Sequence, residues 1–215
     1  MNCVVTAGPT YESLDKVRRL TNFSTGRLGT ELAGFLTAQG HQVTLLLGEQ
    51  ATYPGKPDAE KVERFTSTAD LAARLKALGG KTNAVFHAAA VSDYTFGKIW
   101  VRSASGEMKE IKSGKISTRQ GTLLAELLPT PKIIADLRSW HPSARVVGWK
   151  YEVEGDRASV ISLGERQLAE CRTDACVVNG RAYGHGFGLV TGPGQCTHIR
   201  DMAGLFRTLE ELVRG

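Results

Sequence analysis

The chain has 215 residues, 41% apolar and 23% charged, with a formal net charge of +5. That is enough for one domain with a sizeable core, over residues 1–215, and no apolar run is long enough to cross a bilayer. The start, Met1-Asn2-Cys3-Val4, lacks the basic and then apolar regions of a signal peptide, so a cytoplasmic location is expected. No Lys/Arg block or basic–aromatic interleaving supports a nucleic-acid groove, and the mild positive charge suits phosphorylated small molecules.

Residues 3–7 form a β-rich run that Gly8-Pro9 ends. A long loop over 8–24 with mixed charges follows, and loops of that length are more often functional than idle. Leu28, Leu32, Phe35 and Leu36 recur at helical spacing over 26–39, and Gly40 stops the helix. Strands are expected at 41–47 and 62–66, a helix at 69–78 capped by Ser67 or Thr68, and a strand at 83–88. Residues 94–128 break the rhythm with short alternating pieces at 99–102, 108–111 and 123–127, read as a β flap or hairpin excursion. A helix over 131–140 opens with a proline in its first turn. Strands at 145–149 and 174–178 bracket a helix over 156–171, and a late hairpin pairs 189–190 with 196–199. Asp201 caps the last helix, 202–213. This alternation predicts an α/β, Rossmann-like, mostly parallel sheet with helices on both faces, and ligands in such sheets bind at the carboxyl ends of the strands.

Four cysteines (Cys3, Cys171, Cys176, Cys196) form no Cys-x-x-Cys, and five scattered histidines form no cluster, which argues against zinc and for reduced thiols. Asn22-Phe23-Ser24-Thr25-Gly26-Arg27-Leu28-Gly29 brings hydroxyls, two glycines and an arginine to a helix start. Backbone N–H groups and the helix dipole favour phosphate there. The bland alternative is a helix capped by Ser24 or Thr25. The stretch matches neither a Walker loop nor Gly-x-Gly-x-x-Gly. Asp93, after an Ala-rich strand end, can hold a cation or hydroxyl, or simply cap a turn. Lys115 is either a solvated lysine or part of a flap over the site. Lys150, at a strand's carboxyl end, can neutralise a phosphate, while Trp149 can be plain core. Tyr94-x-x-x-Lys98 matches the short-chain dehydrogenase pair, but Gly97 and the position straight after a strand favour a chance match.

Six blocks in order resemble phosphopantothenoylcysteine synthetases, the phosphopantothenate–cysteine ligases. They are residues 5–10 with the loop 15–22, residues 22–29, 88–94 (Ala-Ala-Ala-Val-Ser-Asp-Tyr), 114–117 (Gly-Lys-Ile-Ser), 129–134 (Pro-Thr-Pro-Lys-Ile-Ile) and 147–152 (Val-Gly-Trp-Lys-Tyr-Glu). The resemblance implies a stand-alone ligase domain of coenzyme A synthesis without a flavin decarboxylase. It implies an acyl-nucleotide formed from CTP or ATP with Mg²⁺, attack on it by cysteine, and a homodimer with no nucleic-acid or membrane partner. It also implies site roles. Asn22 and Lys115 are catalytic; Arg18, Asn22, Ala89, Ala90 and Asp93 bind phosphopantothenate, with Asp93 touching Mg²⁺. Gly8, Ser24, Gly26, Gly29, Pro131, Lys132, Ile133, Trp149, Lys150 and Asn179 bind the nucleotide.

The chain also departs from the family's fused type. Trp149 stands for a phenylalanine, Gln167 and Cys171 for two helix lysines, and Asn179-Gly180 for Asn-Asp. Lys150 is expected to take over phosphate neutralisation. Two alternatives remain, an NAD(P) enzyme of the short-chain dehydrogenase type and a non-catalytic nucleotide-binding paralogue.

Overall fold

Strict alternation along the central strands sends Val5 and Ala7 to one face of a sheet and Val4 to the other, where each finds its own core. The computed structural model describes residues 1–111, 114–117 and 121–214. In chain order the strands are β1 (Asn2–Ala7), β2 (Tyr11–Ser13), β3 (Arg19–Thr21), β4 (Gln42–Gly48), β5 (Lys61–Phe65), β6 (Ala84–His87), β7 (Tyr94–Arg102), β8 (Met108–Glu110), β9 (Thr122–Pro129), β10 (Arg145–Tyr151), β11 (Ala175–Asn179), β12 (Phe187–Gly192) and β13 (Gln195–Ile199). The helices are α1 (Arg27–Ala38), α2 (Thr68–Ala77), α3 (Ile133–Trp140), α4 (Arg157–Cys171) and α5 (Met202–Arg214).

Eight strands form the main sheet in the order β13-β12-β11-β10-β6-β1-β4-β5. Its first six strands in sequence run parallel, and β12 and β13 close one edge antiparallel. One face carries α1 and α5, with Leu32, Leu36, Leu205 and Leu209 fully buried against Val5, Leu45 and Val177. The other carries α2 and α3 over Val4, Leu46, Val85 and Val146, and α4 over Cys176, Val178 and Val190. Truncating any of these leucines to alanine costs about 2–5 kcal/mol. The expected α/β fold is thus the observed one. The chain runs from β1 outward through β4 and β5, then returns through β6 to build the opposite half. That reversal places a crevice at the carboxyl ends of β1 and β6, the usual ligand position in open α/β sheets.

Several local expectations are corrected. The loop over 8–24 contains the antiparallel hairpin β2–β3, pairing Tyr11 with Thr21 and Ser13 with Arg19. The N-cap of α1 is Gly26 in a left-handed conformation, not Ser24 or Thr25. Pro131 lies outside α3, whose N-cap is Lys132. Lys150 lies within β10, not after it. Tyr94 and Lys98 both lie on strand β7, so the helical dehydrogenase pair does not form. The 94–128 excursion is a separate three-stranded antiparallel sheet, β8-β7-β9. Ser113 and Thr118, which flank the expected flap lysine, fall outside the described residues. Among the described residues no helix is long and apolar enough to cross a membrane.

Candidate active site

The crevice begins with hydroxyls at the end of β1. Thr6 Oγ1 accepts from the backbone N–H of Ala89 at 3.0 Å and lies 3.0 Å from His87 Nδ1. Full burial lowers the His87 pKa from 6.5 to about 4, so the ring is neutral and shares one hydrogen bond with the Thr6 hydroxyl. Beyond it the two strand ends stay together: Ala90 N–H donates to Gly8 O at 3.0 Å, and Thr10 N–H to Ala90 O at 3.1 Å. Thr10 Oγ1 then accepts from the backbone N–H of Ser92 at 2.8 Å, and the Thr130 hydroxyl donates to Ser92 O at 2.5 Å. These buried hydroxyls fix the wall formed by Ala89, Ala90 and Asp93. In the sequence, threonines next to strand ends carry no signal of such a network beyond β propensity.

Asn22 reaches this wall. Its Nδ2 donates to Ala90 O and to Val91 O, each at 3.3 Å. The turn entering α1 is therefore tied to the carboxyl end of β6. Asp93 stands exposed beside it, and its Oδ1 accepts from Lys132 Nζ at 2.5 Å. Lys132 itself begins α3, so residues expected to serve the acid and the nucleotide meet directly. Asp93 supplies one carboxylate, already paired, and the described residues hold no group of three His, Cys, Asp or Glu side chains suited to a metal. Such a set does not fit a resident metal cage, though Mg²⁺ carried on nucleotide phosphates needs only one or two protein carboxylates.

Two glycines make the turn possible. Gly8 (φ +81°) and Gly26 (φ +82°) face Ala51, whose Cβ lies only 2.9 and 3.0 Å from where a Cβ on each would sit. The start of α1 is left without a side-chain cap on Gly26, and only Thr25 Oγ1 accepts from Arg27 N–H, at 3.3 Å. Ser24 sits half-buried just before it. Gly29 differs: a Cβ there would lie 2.6 Å from that of Ala7, so its role is close packing of α1 on β1. Ile133 also points into the core, at 2% exposure, leaving only its backbone for a ligand.

Arg18 and Lys115 share a cleft of about 410 Å³ with Val17, Ile116 and Ser117. Arg18 Nη2 donates to Ile116 O at 2.8 Å and pairs with Asp15 at 2.5 Å. The Arg18 guanidinium holds the Asp15 carboxyl well below the usual carboxylate range.

Farther along the sheet, Trp149 and Asn179 share the α1/α5 face, because Trp149 pairs with Val177 and Asn179 lies two residues on. Trp149 packs on the core with Nε1 buried and unpartnered, and Asn179 Oδ1 is buried and unpartnered too. A cleft of about 540 Å³ lined by Tyr151, Asn179, Arg181, His185 and Arg200 opens beside them. Lys150 points the other way, toward α4. Burial and Glu170 push the Cys171 thiol up while Lys150 and Lys132 pull it down. Burial pushes the Cys176 thiol up to about 12 against the pull of Lys150. Gln167, 5% exposed, lies under Gly148: a Cβ there would come 2.0 Å from Gln167 Nε2, which donates to Cys176 Sγ at 3.2 Å.

An open α/β sheet with a glycine-rich helix start and a hydroxyl-braced wall at its switch point places the chain among the α/β folds that bind ligands at the carboxyl ends of their strands. Residues 1–198 match the family described as the DNA/pantothenate metabolism flavoprotein C-terminal domain, and the chain belongs to that family. It is 32% identical over 179 residues to the coenzyme A biosynthesis bifunctional protein CoaBC of Thermococcus kodakarensis, covering 82% of this chain and 40% of that one. The chain thus spans less than half the length of the curated relatives it matches. Among solved structures, the DNA/pantothenate metabolism flavoprotein of Streptococcus pneumoniae superposes with a TM-score of 0.85 at 24% identity, over 100% of this chain and 98% of that one. A Cab2 mutant in complex with phosphopantothenate-cysteine superposes with a TM-score of 0.68 at 20% identity, over 99% and 85%. These two likenesses bear on the fold.

Proposed function

We propose that the chain is a phosphopantothenate–cysteine ligase of coenzyme A synthesis, acting in the cytoplasm. The observation that carries the reading is the pair of hydrogen bonds that Asn22 donates to the Ala90 and Val91 carbonyls, which sets the phosphate-friendly turn against the acid-binding wall. A nucleotide along α1 and a carboxylic acid along Ala89–Asp93 meet there. The carboxylate oxygen of 4′-phosphopantothenate attacks the α-phosphorus and pyrophosphate leaves. The cysteine amine then attacks the acyl carbon, the nucleoside monophosphate leaves, and the amine loses a proton.

Both steps develop negative charge, which Arg18, Lys115 and the first N–H groups of α1 stabilise. Mg²⁺ on the phosphates supplies further charge neutralisation when bound, and Asp93 is the carboxylate near enough to orient it. Lys150 and Lys132, whose fields reach Cys171, replace the charge of the absent helix lysines. Trp149 Nε1 and Asn179 Oδ1 offer a donor and an acceptor to a base that displaces their present packing. The exocyclic amine and adjacent ring nitrogen of cytosine and adenine complement that pair equally, so CTP and ATP both fit. Flavin has no role in this chemistry.

The domain acts as a homodimer. Tyr94 and Leu127, on one face of the three-stranded sheet, are each 48% exposed, an apolar pair suited to a second copy. Pyrophosphate release in the presence of phosphopantothenate, cysteine and either CTP or ATP, with mass detection of the amide product, tests the reading. Nucleotide binding without release favours the non-catalytic paralogue and overturns it.

A further inference from the structure

Asp15 has no role in the reading above, yet its carboxylate is the most heavily used acceptor in the crevice. Its side chain has no solvent exposure. Oδ1 accepts from the backbone N–H of Val17 at 2.9 Å and of Arg18 at 2.8 Å, which closes the 15–18 turn on itself. Oδ2 does something different. It accepts from Arg18 Nε at 3.1 Å and Nη2 at 2.5 Å, and from the backbone N–H of Ile116 at 3.2 Å, across 101 residues of chain.

Two further bonds run between the same segments. Arg18 Nη2 donates to Ile116 O at 2.8 Å, and Lys16 N–H donates to Gly114 O at 3.0 Å. The Ile116 side chain is buried, at 5% exposure. Lys115 therefore sits between two residues whose backbones are both fastened to the 15–18 turn. Bonds from an ionised acceptor are roughly twice as strong as neutral ones, so the carboxylate is the natural centre of this junction. A turn-closing aspartate needs only Oδ1. The second oxygen is spent on joining two segments that share a cleft.

We propose that Asp15 is a positioning residue that latches segment 114–117 to the 15–18 turn and so holds Arg18 and Lys115 over one cleft during the reaction. The proposal rests on the ligase reading for its catalytic consequence, whereas the latch itself does not.

Asp15→Asn separates the two halves of the carboxylate's work. Its amide oxygen still closes the turn, but its NH₂ faces three donors, Arg18 Nε, Arg18 Nη2 and the Ile116 N–H. Hydrogen exchange of the full chain, followed by mass spectrometry, reads the latch directly. The expected result is exchange about tenfold faster in the peptide spanning 114–117, with β1 and β6 unchanged. In the ligase assay kcat falls about tenfold while the nucleotide KM stays within about twofold, and Asp15→Glu recovers part of the loss. Unchanged exchange at 114–117 overturns the proposal. So does faster exchange with kcat unaffected, and so does faster exchange throughout the sheet, which marks a purely structural residue. If the unsubstituted chain releases no pyrophosphate, the ligase reading fails while the exchange measurement still decides the latch.

Discussion

Lys132 Nζ lies 2.5 Å from Asp93 Oδ1, joining the N-cap of α3 to the end of the Ala89–Asp93 wall. Both side chains are about two-thirds exposed, at 69% and 66%, so the pair contributes little to folding. Its worth lies in the site. Asp93→Asn and Lys132→Met are each expected to leave Tm within about 2 °C. Each raises the phosphopantothenate or nucleotide KM by about tenfold or more in the pyrophosphate assay. A large drop in Tm with unaltered KM values would assign the pair to stability instead.

Asn22 bridges two carbonyls through one amide nitrogen. Asn22→Ala removes both bonds and is expected to stall the reaction after acyl-nucleotide formation. Asn22→Asp is worse, because it sets a carboxylate oxygen against the Ala90 and Val91 carbonyls. Quenched single-turnover experiments should find the acyl-nucleotide accumulating in the alanine variant. Full turnover in that variant would remove Asn22 from the catalytic machinery.

Much of this architecture was legible in the chain, for reasons visible at particular residues. Leu28, Leu32 and Leu36 at helical spacing announce a helix with one buried face, and the apolar runs of β1, β4 and β11 announce strands covered on both faces. The hairpin β2–β3 was not legible, because its strands are three residues long and β3 is exposed throughout. The cap at Gly26 was hidden because a left-handed φ is a property of the turn's packing on Ala51, not of a local pattern. Asn22, Ala90 and Asp93 were nameable from sequence blocks, and the structure brings them together. Gly29 and Ile133 look like ligand positions in the same blocks, yet packing claims their Cα and side chain. The spacing of Asp15 and Arg18 hints at an ion pair, but nothing local points to Ile116.

Lys150 is expected to be the cation that meets the nucleotide phosphates from the α4 side. Lys150→Ala should raise the nucleotide KM at least about tenfold, with the cysteine KM unaffected. Initial rates at varied nucleotide check this, and an unchanged nucleotide KM would remove the role.

His87 makes stability depend on pH with a definite sign. The unfolded chain takes up the proton near the ordinary value of 6.5, whereas the buried native ring does so only near 4. Between those values the unfolded state binds more protons, so stability falls as pH drops from about 6.5 towards 4. The slope is at most about 1.4 kcal/mol per pH unit, and there is no contribution above that window. Thermal melts from pH 7.5 to 4.5 should show a steeper acid decline for the unsubstituted chain than for His87→Gln. Parallel curves would exclude the ring as the source.

The seam between Gly8, Gly26 and Ala51 gives a compensation test. Gly26→Ala places a side chain at φ +82° and about 3.0 Å from the Ala51 Cβ, and should cost about 1–3 kcal/mol. Adding Ala51→Gly relieves the contact but not the backbone strain, so denaturant midpoints should recover in part. Complete recovery would assign the whole cost to crowding.

Gln167, wedged beneath Gly148 and bonded to Cys176, turns Lys150 into one half of a bargain. An ammonium introduced at the glutamine's place would enter a buried site already within the field of Lys150, so each cation would raise the cost of the other. Positive charge on β10 at this end of the crevice thus disfavours a second cation at position 167 of α4. A lysine at position 167 is therefore tolerated better once Lys150 has been made neutral than beside it.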